Sequence, residues 1–286
     1  MVFNRKKPSS YTILQTAEGV AANGNSTRDS NGNGARRAYA PLPTNGERGM
    51  DNSSGMASSL STEETLALQI EDTGALLEFA QPTVKALRYM TTRLMVNDGL
   101  PQRVAVVAAL REEGVTYSTL ATAALLACDT PRRICYVDLN WWWPSSILSH
   151  YGRKSVAGVL QHEIDLDQAL LTTNFTNLQL LPAGELPVKQ RAMFARGAEL
   201  PTLLGQLAER YDHLLLDIPA ILTTSDAIPL ASLADGCCPV VRQGVSTSSM
   251  VGQALKELEH LAMLGVIMNR VAHRTPEWLL RWIPQA

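Results

Sequence analysis

Residues 103–140 read RVAVVAALREEGVTYSTLATAALLACDTPRRICYVDLN, and this stretch decides the fold. Its two ends, RVAVVAAL and RICYVDL, are short apolar runs rich in β-branched residues, which suits strands buried on both faces. Between them STLATAALLAC has the small and aliphatic residues of a buried helix. Two such strands joined through a helix call for a right-handed crossover and a parallel pair. The alternation continues downstream. LQLLPAG (178–184), HLLLDIP (213–219), CCPVVR (237–242) and LGVIMNR (264–270) read as further strands, with helical stretches near 155–171, 190–210 and 246–263. The expectation is an α/β fold, a single domain whose mostly parallel sheet is flanked by helices. In such sheets the ligand crevice lies beyond the carboxyl ends of the strands.

Upstream of this domain the composition changes. Residues 1–60 contain AANGNSTRDSNGNGARR and LPTNGERGMDNSSGMASS, which hold too little apolar surface to offset ordering entropy and read as a disordered polar tail. Residues 61–100 read as a helical extension. Ser61-Thr-Glu-Glu64 has the spacing of a capping box, a helix through Leu66, Ile70, Leu76 and Leu77 is expected after it, and a second from about Pro82 to Val96. The α/β domain then spans 101–272. A C-terminal amphipathic segment, 273–286, places Trp278 and Trp282 four residues apart on one helical face, suited to a membrane interface, a partner groove or docking on its own domain.

The 286 residues carry a net charge of −2, with 45% hydrophobic and only 18% charged residues, which excludes nucleic-acid binding by bulk positive charge. No apolar run approaches the roughly 18 residues of a membrane-spanning helix, and no secretory signal follows the basic N-terminus. The four cysteines (Cys128, Cys135, Cys237, Cys238) lack metal-ligand spacing and read as small buried hydrophobes in a reducing cytosol.

Chemistry is expected at the strand ends. After the first strand comes Arg111-Glu-Glu-Gly-Val-Thr116, a loop entering a small-residue helix, where a phosphate-binding loop belongs. Such a loop uses glycines so that N–H groups converge on phosphate, and a lysine to neutralise charge. Only Gly114 is present, and Val115 holds the lysine position, while Glu112 and Glu113 add negative charge beside it. Asp138 and Asp217 each end an apolar strand. Singly, either suits a helix cap as well as a metal; two at matching strand ends favour a nucleotide crevice.

Five collinear blocks carry a resemblance: VKALRYMTTRL (84–94), DLNWWWPS (138–145), SVAGVLQHEIDLDQAL with NLQLLPAGELP (155–187), YDHLLLDIPAILTTSDAIPLASLADGCCPVVRQGVSTSSMV (211–251) and LGVIMNRV (264–271). Over residues 82–271 the chain resembles the tyrosine-kinase domain of bacterial capsule and exopolysaccharide synthesis. That is a P-loop NTPase domain related to the partitioning and division-site ATPases. The resemblance implies ATP and Mg as cofactors. It implies Gly114, Val115, Thr116 and Asn269 as nucleotide-binding positions, Thr116, Asp138 and Asp217 as metal positions, and Asp138 and Asp217 as catalytic ones. It further implies homo-oligomers, no nucleic-acid partner, and a membrane chain-length-determinant (copolymerase) protein as partner. The location it implies is cytoplasmic, peripheral to the inner face of the membrane.

The departures are specific. Against the family's Pro-Gly-Glu-Gly-Lys-Ser/Thr loop, Glu112 replaces a glycine and Val115 the lysine. Asn140 stands for an aspartate, and Trp142 and Trp143 for arginines. Pro82, Lys85 and Arg88 fall where the oligomerisation helix has Glu-x-x-Arg-x-x-Arg. None of the seven tyrosines lies after 211, so the family's C-terminal tyrosine cluster is missing. Such a degenerate Walker A loop implies that ATP and Mg bind weakly or not at all. The expectation is an inactive relative, a pseudokinase serving as regulator or partner in polysaccharide assembly. The alternatives are an active ATP-dependent tyrosine kinase of the same pathway and a cargo-positioning partitioning ATPase, whose loop would keep a lysine.

Overall fold

The computed structural model describes residues 13–15, 65–96 and 99–271. In chain order the elements are β1 (Ile13–Gln15), β2 (Ala67–Ile70), β3 (Ala75–Glu78), α1 (Gln81–Val96), β4 (Arg103–Ala108), α2 (Val115–Asp129) and β5 (Ile134–Asp138). Then follow α3 (Val156–Leu160), α4 (Leu166–Ala169), β6 (Leu171–Thr172), β7 (Leu178–Leu181), α5 (Val188–Arg196), α6 (Glu199–Arg210) and β8 (His213–Asp217). The chain closes with α7 (Ala227–Ala231), β9 (Gly236–Arg242), α8 (Ser248–Glu257), β10 (Ala262–Met263) and β11 (Val266–Asn269). The strands expected from sequence are thus β4, β5, β7, β8, β9 and β11.

The main sheet runs β1-β11-β9-β4-β8-β5-β7-β6, with β10 beside β9. Every pairing in it is parallel except β6 with β7. Its continuous apolar runs are explained by cores on both faces. Cys135, Val137, Leu214 and Leu216 pack into one, under residues of α3 to α7. Ile134, Tyr136, Leu215 and Val106 pack into the other, under α1 and α2. The small residues of α2 (Ala121, Ala123, Ala124) are all buried and let that helix lie close on the sheet.

One expectation is corrected. Residues 66–78 are not helical: β2 and β3 form an antiparallel hairpin, Ala67 opposite Glu78 and Ile70 opposite Ala75. Leu66, Leu68 and Ile70 are buried while Gln69 and Glu71 are exposed, a period of two that wins over the i, i+4 spacing of Leu66 and Ile70. The turn is made possible by Gly74 at φ 68. Asn174 then ties the hairpin to the domain, its Oδ1 accepting from the Gln69 N–H at 2.8 Å. The helix expected from Pro82 to Val96 is α1. The Ser61–Glu64 capping box lies outside the described residues.

Within the stretch read as a disordered tail, Ile13–Gln15 adds a strand along β11, Ile13 beside Val266. This corrects the tail reading for those three residues; the rest of residues 1–60 lies outside the described residues, as does the segment 273–286 with Trp278 and Trp282. No helix among the described residues is long and apolar enough to cross a membrane.

Candidate functional site at the carboxyl ends of the strands

The loop between β4 and α2 sits over the ends of β9 and β11. Gly114 precedes the helix at φ 96, ψ 29. A Cβ there would come within 2.2 Å of Asn269 Nδ2, so only glycine fits. Asn269 Nδ2 donates to the Glu113 carbonyl at 2.8 Å. From β9, the Arg242 guanidinium donates to the Glu112 carbonyl at 3.2 Å. Glu113 folds inward: it is fully buried, and its Oε2 accepts from the Leu110 N–H at 3.0 Å. Its Oε1 accepts from the Arg242 N–H at 3.4 Å. Of the two acids expected beside the loop, Glu113 is turned inward and Glu112 outward. Glu113 orders the loop, and only Glu112 is exposed.

Glu112 itself adopts φ 64. That left-handed geometry costs a side-chain-bearing residue about 1–2 kcal/mol, which a glycine would avoid. The loop thus keeps a glycine's backbone without the glycine. Val115, first residue of α2, packs against the core shared by α1 and α2 and brings no charge. The loop's own cation, Arg111, is stacked over the Trp143 ring at 4.6 Å.

The two aspartates meet as expected, because β5 and β8 pair in register with Asp138 beside Asp217. Both are buried, at 2% and 0% exposure. Asp138 Oδ1 accepts from the Asn140 N–H at 2.8 Å, and the Ala183 N–H also bonds to this carboxylate. Asp217 Oδ2 accepts from the Tyr136 hydroxyl at 2.8 Å, and the Thr116 hydroxyl bonds to the same side chain. Asp217 Oδ1 is buried and has no partner. Burial pushes Asp217 up to about 6, against the pull of the Thr116 and Tyr136 bonds. Burial, then the charge of Asp217, holds Asp138 well above the usual carboxylate range.

Thr116, Asp138 and Asp217 form one corner of hard oxygen donors, and the orphaned Oδ1 is the kind of atom a cation satisfies. These residues fit a magnesium ion, which would neutralise the paired carboxylates. A triphosphate fits the loop less well: Gly114 and Asn269 are in place, but Val115 supplies no ammonium. The hollow beside Asp138, lined by Ser145, Ser149, Gly184 and Glu185, is about 10 Å³, room for one ion or water.

The three tryptophans have separate roles. Trp141 is core, its indole N–H donating to the Ala183 carbonyl at 2.9 Å, and Trp142 lies against it at 5.9 Å between centroids. Asn140, in an expected aspartate position, shapes the turn by accepting from the Trp143 N–H at 3.1 Å. Sequence reasoning missed Tyr136. The available signal was its place two residues before Asp138, hence on the same face of the strand.

A mostly parallel sheet with a glycine-capped loop after its central strand β4, and paired aspartates at adjacent strand ends, defines a P-loop-NTPase-type domain. No protein-family model matches the chain. It is 22% identical to the tyrosine-protein kinase CpsD of Streptococcus agalactiae over 210 residues, 71% of this chain and 90% of that protein. It is 27% identical over 172 residues to the succinoglycan biosynthesis transport protein ExoP of Rhizobium meliloti, 58% of this chain and 22% of that protein. Among solved structures, the chimerical protein CapA2B2 matches with a TM-score of 0.60 at 18% identity, covering 65% of this chain and 84% of that one. The septum site-determining protein MinD of Pyrococcus horikoshii, complexed with Mg-ADP, matches at 0.50 and 20% identity, covering 65% and 79%. The chain is thus similar in sequence to tyrosine-protein kinases and to a succinoglycan biosynthesis transport protein, and it shares its fold with the CapA2B2 and MinD structures.

Proposed function

We propose that this protein is a pseudokinase of capsule or exopolysaccharide synthesis, a non-catalytic regulator or partner of a membrane chain-length (copolymerase) protein. It works in the cytoplasm, peripheral to the inner face of the membrane. The observation that carries the reading is Val115 at the start of α2, packed toward the core where the family's phosphate lysine stands. Losing one charge-assisted bond costs about 1.5–3 kcal/mol, and the exposed Glu112 carboxylate opposes a triphosphate further. Together that is on the order of a hundredfold or more in affinity. Of the two guanidinium groups at the loop, Arg111 is stacked over the Trp143 ring and Arg242 is bonded to the Glu112 carbonyl. The retained Thr116–Asp138–Asp217 corner can hold a metal, but phosphoryl transfer also needs a clamped phosphate. The partner is inferred from relatives, among them a transport protein of succinoglycan synthesis.

Titration calorimetry with Mg–ATP, a phosphotyrosine assay on purified protein and co-purification from membranes test the reading together. Millimolar or absent nucleotide binding, no phosphotyrosine and recovery of a membrane protein are expected. Micromolar binding with ATP turnover would overturn it and restore an active kinase.

A further inference from the structure

Asp217 lies at the end of β8 with its two oxygens in different situations. Oδ2 accepts from the Tyr136 hydroxyl at 2.8 Å. Oδ1, equally buried, has no donor at all. Tyr136 is on β5, the strand that pairs with β8, and stands opposite Leu215, so its phenol reaches diagonally across to the next-but-one residue of β8. The ring is fully buried in the core beneath α2, which leaves it little freedom to turn elsewhere. A carboxylate on an sp³ stem rotates unless one oxygen is held. Here the phenol O–H fixes Oδ2, with the Thr116 hydroxyl beside the same carboxylate, and Oδ1 is left without a hydrogen bond. Hydrogen bonds of this outer kind orient metal ligands, and removing one typically weakens metal affinity by about 10–100-fold.

We propose that Tyr136 is a positioning residue for a divalent cation: its hydroxyl pins Asp217 through Oδ2 so that Oδ1 stays open as a ligand, with no nucleotide needed. This rests on the reading of a corner that keeps its oxygens while the phosphate clamp is gone. It assigns a role to a residue that touches no cation itself.

The experiment is Mn²⁺ titration of the full chain without nucleotide, followed by electron paramagnetic resonance, for the parent, Tyr136→Phe and Asp217→Asn. The parent is expected to bind Mn²⁺ at least tenfold more tightly than Asp217→Asn, and Tyr136→Phe to fall about tenfold or more below the parent. A second readout needs no Tyr136 variant. Mn²⁺ bound at Asp217 draws charge from the acceptor of the Tyr136 bond, so the parent should show a tyrosine difference band in the ultraviolet that Asp217→Asn lacks. A folded Tyr136→Phe with parental affinity, a parent no tighter than Asp217→Asn, or no tyrosine band at saturation would each overturn the proposal. Should Tyr136→Phe fail to fold, the difference band decides. Because nucleotide is absent throughout, the result is independent of whether Mg–ATP binds, the measurement on which the proposed function stands.

Discussion

The double substitution Glu112→Gly, Val115→Lys should convert the loop into a nucleotide binder. Two separate gains are expected. Glu112 sits at φ 64, so glycine there relieves about 1–2 kcal/mol of left-handed strain and removes an exposed carboxylate from the phosphate side. Lysine at Val115 opens α2 directly after Gly114, whose N–H-rich turn already has the left-handed geometry such loops use. One charge-assisted bond from that ammonium contributes about 1.5–3 kcal/mol. The affinity should therefore rise by roughly ten- to a hundredfold from the lysine alone, with the lost repulsion adding to it. Calorimetry with Mg–ATP measures the gain, and thermal denaturation with and without Glu112→Gly isolates the strain. A folded double variant that binds Mg–ATP no better than the parent would refute the reasoning and place the obstacle elsewhere in the crevice.

Asp217 is raised to about 6 and fully buried, so the folded state holds its proton more tightly than the unfolded chain, and stability falls as pH rises from about 4 through 6. Asp138, raised with it, lowers stability in the same direction over the same window, so Asp217→Asn should lessen but not abolish that decline in pH-dependent melting with chelator present. Trp141→Phe removes the indole bond to the Ala183 carbonyl and should cost about 1–3 kcal/mol in urea unfolding; no change would mean the buried carbonyl finds another donor. Gly74→Ala separates hairpin from helix: at φ 68 it should destabilise by about 1 kcal/mol, whereas in a helix it would stabilise by a similar amount.

The strand–helix alternation was legible because each central strand is buried on both faces, and only long runs such as RVAVVAAL and HLLLDIP can meet that demand. The hairpin was not, although its signal is present. Leu66 and Ile70 satisfy a helical spacing as well as an alternating one, and a four-residue window is too short for the two periods to separate. What decides between them is tertiary. Thr173 and Asn174 offer a sheet edge to β2, and a helix there would leave those groups unmet. Three residues of the N-terminal stretch join the opposite edge for a related reason: Tyr-Thr-Ile-Leu-Gln (11–15) is the β-prone patch in a run otherwise rich in Asn, Gly and Ser.

At the site, residue types could be read but not the direction each side chain takes. Asp138 and Asp217 meet because β5 and β8 pair in that register, and Thr116 reaches Asp217 from the start of α2. Glu113 shows the limit. A count of charges treats it like Glu112, yet one residue's difference in position puts its carboxylate inside the loop, on the N–H groups of Leu110 and Arg242. It therefore orders the loop, bonded to backbone N–H groups instead of facing solvent as Glu112 does. The Trp141–Trp143 run divides in the same way: a buried member bonded to Ala183, a second leaning on it, and a third turned outward to hold Arg111. In this loop Arg111 is stacked on an aromatic face, the Glu113 carboxylate is bonded to the N–H groups of Leu110 and Arg242, and the carbonyls of Glu112 and Glu113 are held by Arg242 and Asn269. The loop can keep the shape of a phosphate-binding loop with no phosphate to hold it, because Arg242 and Asn269 do that work from β9 and β11.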